Sequence, residues 1–224
     1  PTSVEPVTIE ARCSVDPTII RVAFDAPPFE PGPLNLPDYT VPFFVTGYYK
    51  PSTPDNIQDL RLKFAYNLIG EDSTSYIEFP GDAYDNIATE VEVALDRTST
   101  LWIDYMRQFL DECAVGEPVM EVNIEGFADP RPIFAAARFA DETIFDPQLN
   151  VFVERGEQIN NQVLSRMRAY FTARELLDRL QDSPVYQEVR ERVKFNIRGT
   201  VFTENDALPY ELQRRIVISA LLRE

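Results

Sequence analysis

Asn161-Gln162-Val163-Leu164-Ser165-Arg166-Met167-Arg168-Ala169 is the stretch on which the reading of this chain turns. Ile159, Val163, Met167, Tyr170, Phe171 and Leu177 fall at helical spacing, so a helix is predicted from about Gln158 to Gln181 with these residues as its inner stripe. Upstream, Val119-Met120-Glu121-Val122-Asn123-Ile124-Glu125-Gly126 alternates apolar and polar. That period of two makes it a strand, with Met120, Val122 and Ile124 on one face. Downstream, Ser183-Pro184 is a cap followed by a first-turn proline, which predicts a short helix over 184–192. Phe195–Val201 then reads as a strand. So does Arg215–Leu221, where the β-branched run outweighs the helix start offered by Pro209.

Nearer the N-terminus, Val41–Tyr49 reads as a strand running into a turn. Thr53 is a helix cap, Pro54 the first helical residue and Asp55 a favourable charge at the positive dipole end. Ile57, Leu60, Phe64 and Leu68 follow at helical spacing, and Gly70 can end that helix. Ser75–Phe79 is short and β-like, Ala88–Leu95 fits helix or strand, and Ser99–Cys113 is an amphipathic helix marked by Leu101, Tyr105, Phe109 and Leu110. Pro130–Gly156 is a long connection with apolar residues of its own. Such loops are uncommon, and are often functional or packed as a subunit.

Eleven of the eighteen prolines lie in residues 1–54, which sets residues 1–39 apart as a Pro-rich N-terminal extension. It carries two strand candidates, Val7–Cys13 and Ile19–Phe24. The main domain is expected over 40–224, with insertions at about 71–97 and 130–157. Its element order is β-α-β-α-β-β, an α+β sandwich with helices on one face of a mixed sheet.

The chain has 224 residues, no histidine and two cysteines, Cys13 and Cys113. Ser-His-Asp triads, histidine bases and thiolate or imidazole metal cages are thereby removed. Glu10, Glu78 and Glu125 offer no convincing carboxylate pair, so no enzymatic activity and no cofactor are expected. The formal net charge is −16 and the pI about 4.4, which disfavours binding to nucleic acid. No apolar run approaches the roughly 20 residues of a membrane helix.

Three motifs together resemble the OmpA-like (OmpA/MotB C-terminal) peptidoglycan-associating domain. Gly126-Phe127-Ala128-Asp129 corresponds to the family's strand end, Gly-His-Thr-Asp. Asn161 to Ala169 matches its helix, Asn-x-x-Leu-Ser-x-x-Arg-Ala. Arg214-Arg215-Ile216 matches its last strand, which opens Arg-Arg-Val. The resemblance covers roughly residues 40–222, and the helix match is its most specific part.

The resemblance implies a non-catalytic anchor in the bacterial cell envelope, periplasmic or associated with the outer membrane, that grips the diaminopimelate of the peptidoglycan stem peptide. Asp129 would pair with the ligand's ammonium group and Arg168 with its carboxylate, and Asn161 would line the same pocket. A zwitterionic head requires such an opposed pair, and the planar fork of arginine suits a carboxylate. A longer precursor with a secretory signal or lipid anchor is expected.

Two features depart from the family. Phe127 and Ala128 replace polar rim residues, and the loop from Pro130 to Asn160 is much longer than usual. A second function therefore stands beside the first: a degenerate scaffold subunit of an envelope complex, with protein partners met through residues 1–39 and the insertions. A purely structural reading of the site also stands. In it Asp129 caps the following turn, and Arg168 pairs with Asp129, Glu154 or Glu157. Arg214 and Arg215 are read as structural or surface residues.

Overall fold

The computed structural model describes residues 43–66, 77–112, 119–203 and 210–223. The N-terminal extension with its strand candidates, both cysteines and the helix stop at Gly70 lie outside these residues.

Helix α1 is Pro54–Ala65. Its start follows from local chemistry, since the Thr53 hydroxyl accepts from the Asn56 N–H and Pro54 needs no N–H partner. Helix α2, Ala83–Glu112, is one continuous element of 30 residues. The expectation of a new helix at Ser99 is corrected here. Thr98, Ser99 and Thr100 resemble a break, yet each hydroxyl donates to the carbonyl four residues back: Ala94 O at 2.7 Å, Leu95 O at 2.9 Å and Asp96 O at 2.9 Å. Their polar groups are satisfied inside the helix, so the chain continues through them. Ile87, Val91, Leu95, Trp102, Met106 and Phe109 form its buried stripe.

Strand β1 is Val119–Ala128, and a small hairpin follows: β2, Ile144–Asp146, and β3, Val151–Val153. Helix α3 is Asn161–Leu180, capped by Asn160, whose side chain accepts from Val163 N–H. A short helix α4, Pro184–Val189, passes through a 3-10 turn into β4, Val193–Val201. The single turn α5, Tyr210–Gln213, precedes β5, Ile216–Arg223. The main sheet has the order β4-β1-β5, with β1 parallel to β4 and antiparallel to β5. It is a mixed sheet in an α+β chain.

On one face of β1, Met120, Val122 and Ile124 are buried against α3 and the rest of the core. The other face is polar. There Asn196 Nδ2 donates to Asn123 Oδ1 at 3.2 Å across β4 and β1, and Thr200 donates to Glu125. Trp102 of α2 stacks on Phe195 of β4 at 6.1 Å, which ties the longest helix to the sheet.

Among the described residues, two expected strands are not formed. Phe43–Tyr49 is an irregular, buried segment that turns at Gly47, with φ 72° and a Tyr48 N–H to Val45 O bond of 2.9 Å. A short apolar run signals burial and does not by itself fix the backbone as a strand. A loop is possible because its carbonyls find partners outside any sheet: Thr46 O accepts from Glu78 N–H, and Tyr48 O accepts from Arg168. The described part of Ser75–Phe79 is likewise not a strand.

The 130–160 connection is folded rather than loose. Ala137, Phe139, Leu149, Val151, Val153 and Ile159 are buried. Phe139 and Ala137 exchange backbone bonds with Gly156, Glu157 and Ile159, which close its base. Asp141 fastens it to the domain, accepting from the Tyr49 hydroxyl at 2.5 Å and from Lys63 Nζ of α1 at 3.1 Å.

Candidate functional site

The end of β1 and the start of α3 meet at closer than ordinary range. A Cβ at Gly126 would lie 2.2 Å from Ser165 O and 2.7 Å from Ala169 N. Its partner in the parallel ladder is Gly199 of β4, where a Cβ would lie 2.5 Å from Arg166 N. Two glycines side by side therefore let the backbone of α3 rest on the sheet. That seating brings Arg168 level with Phe127, one residue beyond Gly126.

Arg168 is 1% exposed. Its Nη1 donates to Phe127 O at 2.8 Å and its Nε to Tyr48 O at 3.0 Å, while the guanidinium lies 4.8 Å from the Phe44 ring centre. It makes no bond to Glu154 or Glu157. Burial, reinforced by the neighbouring positive charge of Arg214, pushes the guanidinium down to about 9, so it remains charged at neutral pH.

Asp129 follows β1 and is 8% exposed. Arg131 clamps its carboxylate through both oxygens, Nε to Oδ1 at 2.8 Å and Nη2 to Oδ2 at 2.9 Å. The Arg131 backbone N–H adds a third bond to Oδ1 at 3.2 Å, a short Asx-type turn. Arg214 Nε stands 3.9 Å from Oδ2, and its Nη1 donates to Thr46 Oγ1 at 2.5 Å. Burial alone would raise the Asp129 carboxyl. The bonds and charge of Arg131, with the charge of Arg168, outweigh it and hold the group below its ordinary 3.8.

Asn161 is the first residue of α3, and its Nδ2 donates to Arg131 O at 2.8 Å. Asp129, Asn161 and Arg168 all line one cleft of about 200 Å³. Thr46, Arg131 and Phe134 complete its polar and apolar walls. The 130–160 connection forms one wall of this cleft through Pro132, Ile133 and Phe134, and Arg168 within it is buried. Phe139 is buried elsewhere, against Tyr49, and Phe145 is 74% exposed in a separate groove.

Arg131 is the residue that sequence reasoning missed. Its signal was the run Asp129-Pro130-Arg131-Pro132, an arginine held between two prolines directly after a strand-end carboxylate. Arg214, read as structural or surface, stands 4% exposed beside Asp129. Arg215 lies over the Phe127 and Phe202 rings at 5.4 and 5.3 Å. Among the described residues no group of three or more acidic or cysteine side chains is placed to hold a metal ion, and no helix is long and apolar enough to cross a membrane.

No protein-family model matches the chain, and no curated protein matches it. Among solved structures, the crystal structure of the periplasmic domain of MotB is similar at 15% identity and a TM-score of 0.32. The similarity covers 70% of this chain and 60% of that one. The chain thus spans less than two thirds of that structure, and its site stands on its own geometry.

Proposed function

We propose that this chain is a non-catalytic binding module of the bacterial periplasm that associates with peptidoglycan through the diaminopimelate of the stem peptide. The observation that carries the reading is the convergence of Asp129, Asn161 and Arg168, from the end of β1 and the start of α3, on one small cleft. An ammonium group would pair with Asp129, and a carboxylate with the guanidinium of Arg168. Both charges sit in a partly dehydrated recess, where each is stronger than at an open surface. The rigid seating of α3 on Gly126 and Gly199 fixes their spacing, which lowers the cost of ordering the site when a guest arrives.

Calorimetric titration of the full chain with meso-diaminopimelate and with muropeptides tests this. Saturable binding is expected for the wild type, with at least a tenfold loss in Asp129→Asn and in Arg168→Lys, whose folding is checked by circular dichroism. Wild type without binding, or variants that bind as tightly, would sink it.

A second reading has an observation of its own. Asp129 already holds three bonds from Arg131, and Arg168 already serves two buried carbonyls. Both charges are satisfied within the fold, as in a scaffold subunit that keeps the architecture without the ligand. The same titration separates the two.

A further inference from the structure

The Asp129 carboxylate carries a cation of the chain's own. We propose that the Arg131 guanidinium is an internal stand-in for a guest's ammonium group, occupying the Asp129 subsite until the guest displaces it, so that Arg131 sets the affinity and selectivity of the cleft. That the natural guest is a diaminopimelate rests on the preceding reading; the occupancy of the subsite does not.

The geometry separates what is fixed from what can move. The backbone of Arg131 is pinned on both sides, its N–H on Asp129 Oδ1 at 3.2 Å and its carbonyl on Asn161 Nδ2 at 2.8 Å. Pro130 and Pro132 further restrict the chain about it. The side chain is otherwise placed: it is 44% exposed, whereas that of Asp129 is 10% exposed. Solvent therefore reaches the guanidinium of Arg131 far more than the carboxylate it covers, so a guest cation meets the Arg131 side chain first.

A resting place is at hand, because the guanidinium already lies 5.0 Å from the Tyr210 ring centre, within cation–π range. The two bonds to Asp129 are lost on displacement and replaced by those of the guest. Asn161 then acts as a positioning residue that holds the Arg131 turn. Arg168, by contrast, is buried and tied to two carbonyls, so it stays in place while Arg131 moves.

A charge-assisted fork is among the strong hydrogen-bonded contacts a carboxylate can make. A competitor of that kind, tethered two residues away, weakens any external amine. Removing it is expected to tighten amine binding about tenfold. Arg131→Lys keeps the charge and loses the planar fork, and is expected to fall between wild type and Arg131→Ala.

The test titrates the full chain, as wild type, Arg131→Ala, Arg131→Lys and Arg131→Ala/Asp129→Asn, with meso-diaminopimelate, with the diamine cadaverine and with the diacid pimelate. Arg131→Ala is expected to bind diaminopimelate about tenfold more tightly than wild type, to leave pimelate unimproved, and to lose its gain when Asp129→Asn is added. If diaminopimelate binds to none of the proteins but cadaverine binds Arg131→Ala more tightly than wild type, the stand-in holds and the stem-peptide reading falls. Equal or weaker amine binding by Arg131→Ala, or no amine binding by any protein, overturns the stand-in. Tighter pimelate binding in step with diaminopimelate overturns it too, since the gain would then be independent of the ammonium subsite.

Discussion

Gly126 and Gly199 face each other in the β1–β4 ladder, and a methyl group on either meets helix backbone at 2.5 Å or less. Backbone yields less readily than a side-chain tip, so overpacking here is costly. Gly126→Ala and Gly199→Ala are each expected to lower stability by about 3 kcal/mol, as read from urea melts. A melt unchanged by either substitution would mean that α3 is seated in some other way. Residue types announced part of this site. Asp129 after a strand, and Arg168 two turns into a helix that opens with asparagine, were legible as candidates. Their present partners were not. Arg168 bonds carbonyls of residues 41 and 120 positions away, and no local pattern encodes which carbonyl a long side chain will reach. The clamp by Arg131 is local, yet the half-exposure of its side chain belongs to the folded surface.

At the scale of elements, capping chemistry explains why some boundaries were readable. Thr53-Pro54 and Ser183-Pro184 start α1 and α4 as written, since cap and first turn depend on neighbours in sequence. The Val41–Tyr49 segment failed as a strand because burial alone does not choose between sheet and loop. Partners for its carbonyls chose, and those partners are Arg168 of α3 and the Glu78 N–H. The 130–160 connection is held to α1 and this segment through Asp141, which Tyr49 and Lys63 bond and which Lys50 approaches at 3.8 Å, and through Phe139, which packs on Tyr49. Burial would raise the Asp141 carboxyl, but the Tyr49 hydrogen bond and the two lysines hold it below 3.8. A carboxyl lowered in the folded state binds fewer protons there than in the unfolded chain. Its stabilisation is therefore complete above the ordinary value of 3.8 and is lost as pH falls through the lowered value. Asp129 behaves alike. Thermal melts are expected to fall steeply below about pH 4, and the fall should be shallower in Asp141→Asn, which forgoes that contribution at every pH. An equal slope in that variant would remove Asp141 from the account.

For the molecule as a whole, 37 acidic residues stand against 21 basic ones, a formal net charge of −16. Self-repulsion of this size opposes compaction, and salt screens it over about 10 Å at 0.1 M. Raising sodium chloride from 0.05 to 0.5 M is expected to lift the melting temperature by a few degrees, on the order of 1 kcal/mol. A fall in melting temperature would show that the ion pairs around Arg179 and Asp141 outweigh the net repulsion. Against this acidic background Arg131 and Arg168 line the cleft with Asp129, and Arg214 stands 3.9 Å from the same carboxylate, a clustering of arginines that composition does not reveal.

The amino-acid sequence by itself determined the helices at Pro54, Asn161 and Pro184, the strands β1, β4 and β5, and the exclusion of histidine chemistry. Each of these follows from spacing, caps or residue type, all properties of a few neighbouring positions. The tertiary structure alone decided that Phe43–Tyr49 is a loop, that α2 runs unbroken through Thr98–Thr100, and that Asp129 already grips Arg131. It also decided that two glycines on separate strands would lie together beneath α3. Those outcomes depend on which distant groups can satisfy a buried carbonyl or tolerate a backbone at contact distance, and only the closed fold brings such groups within reach.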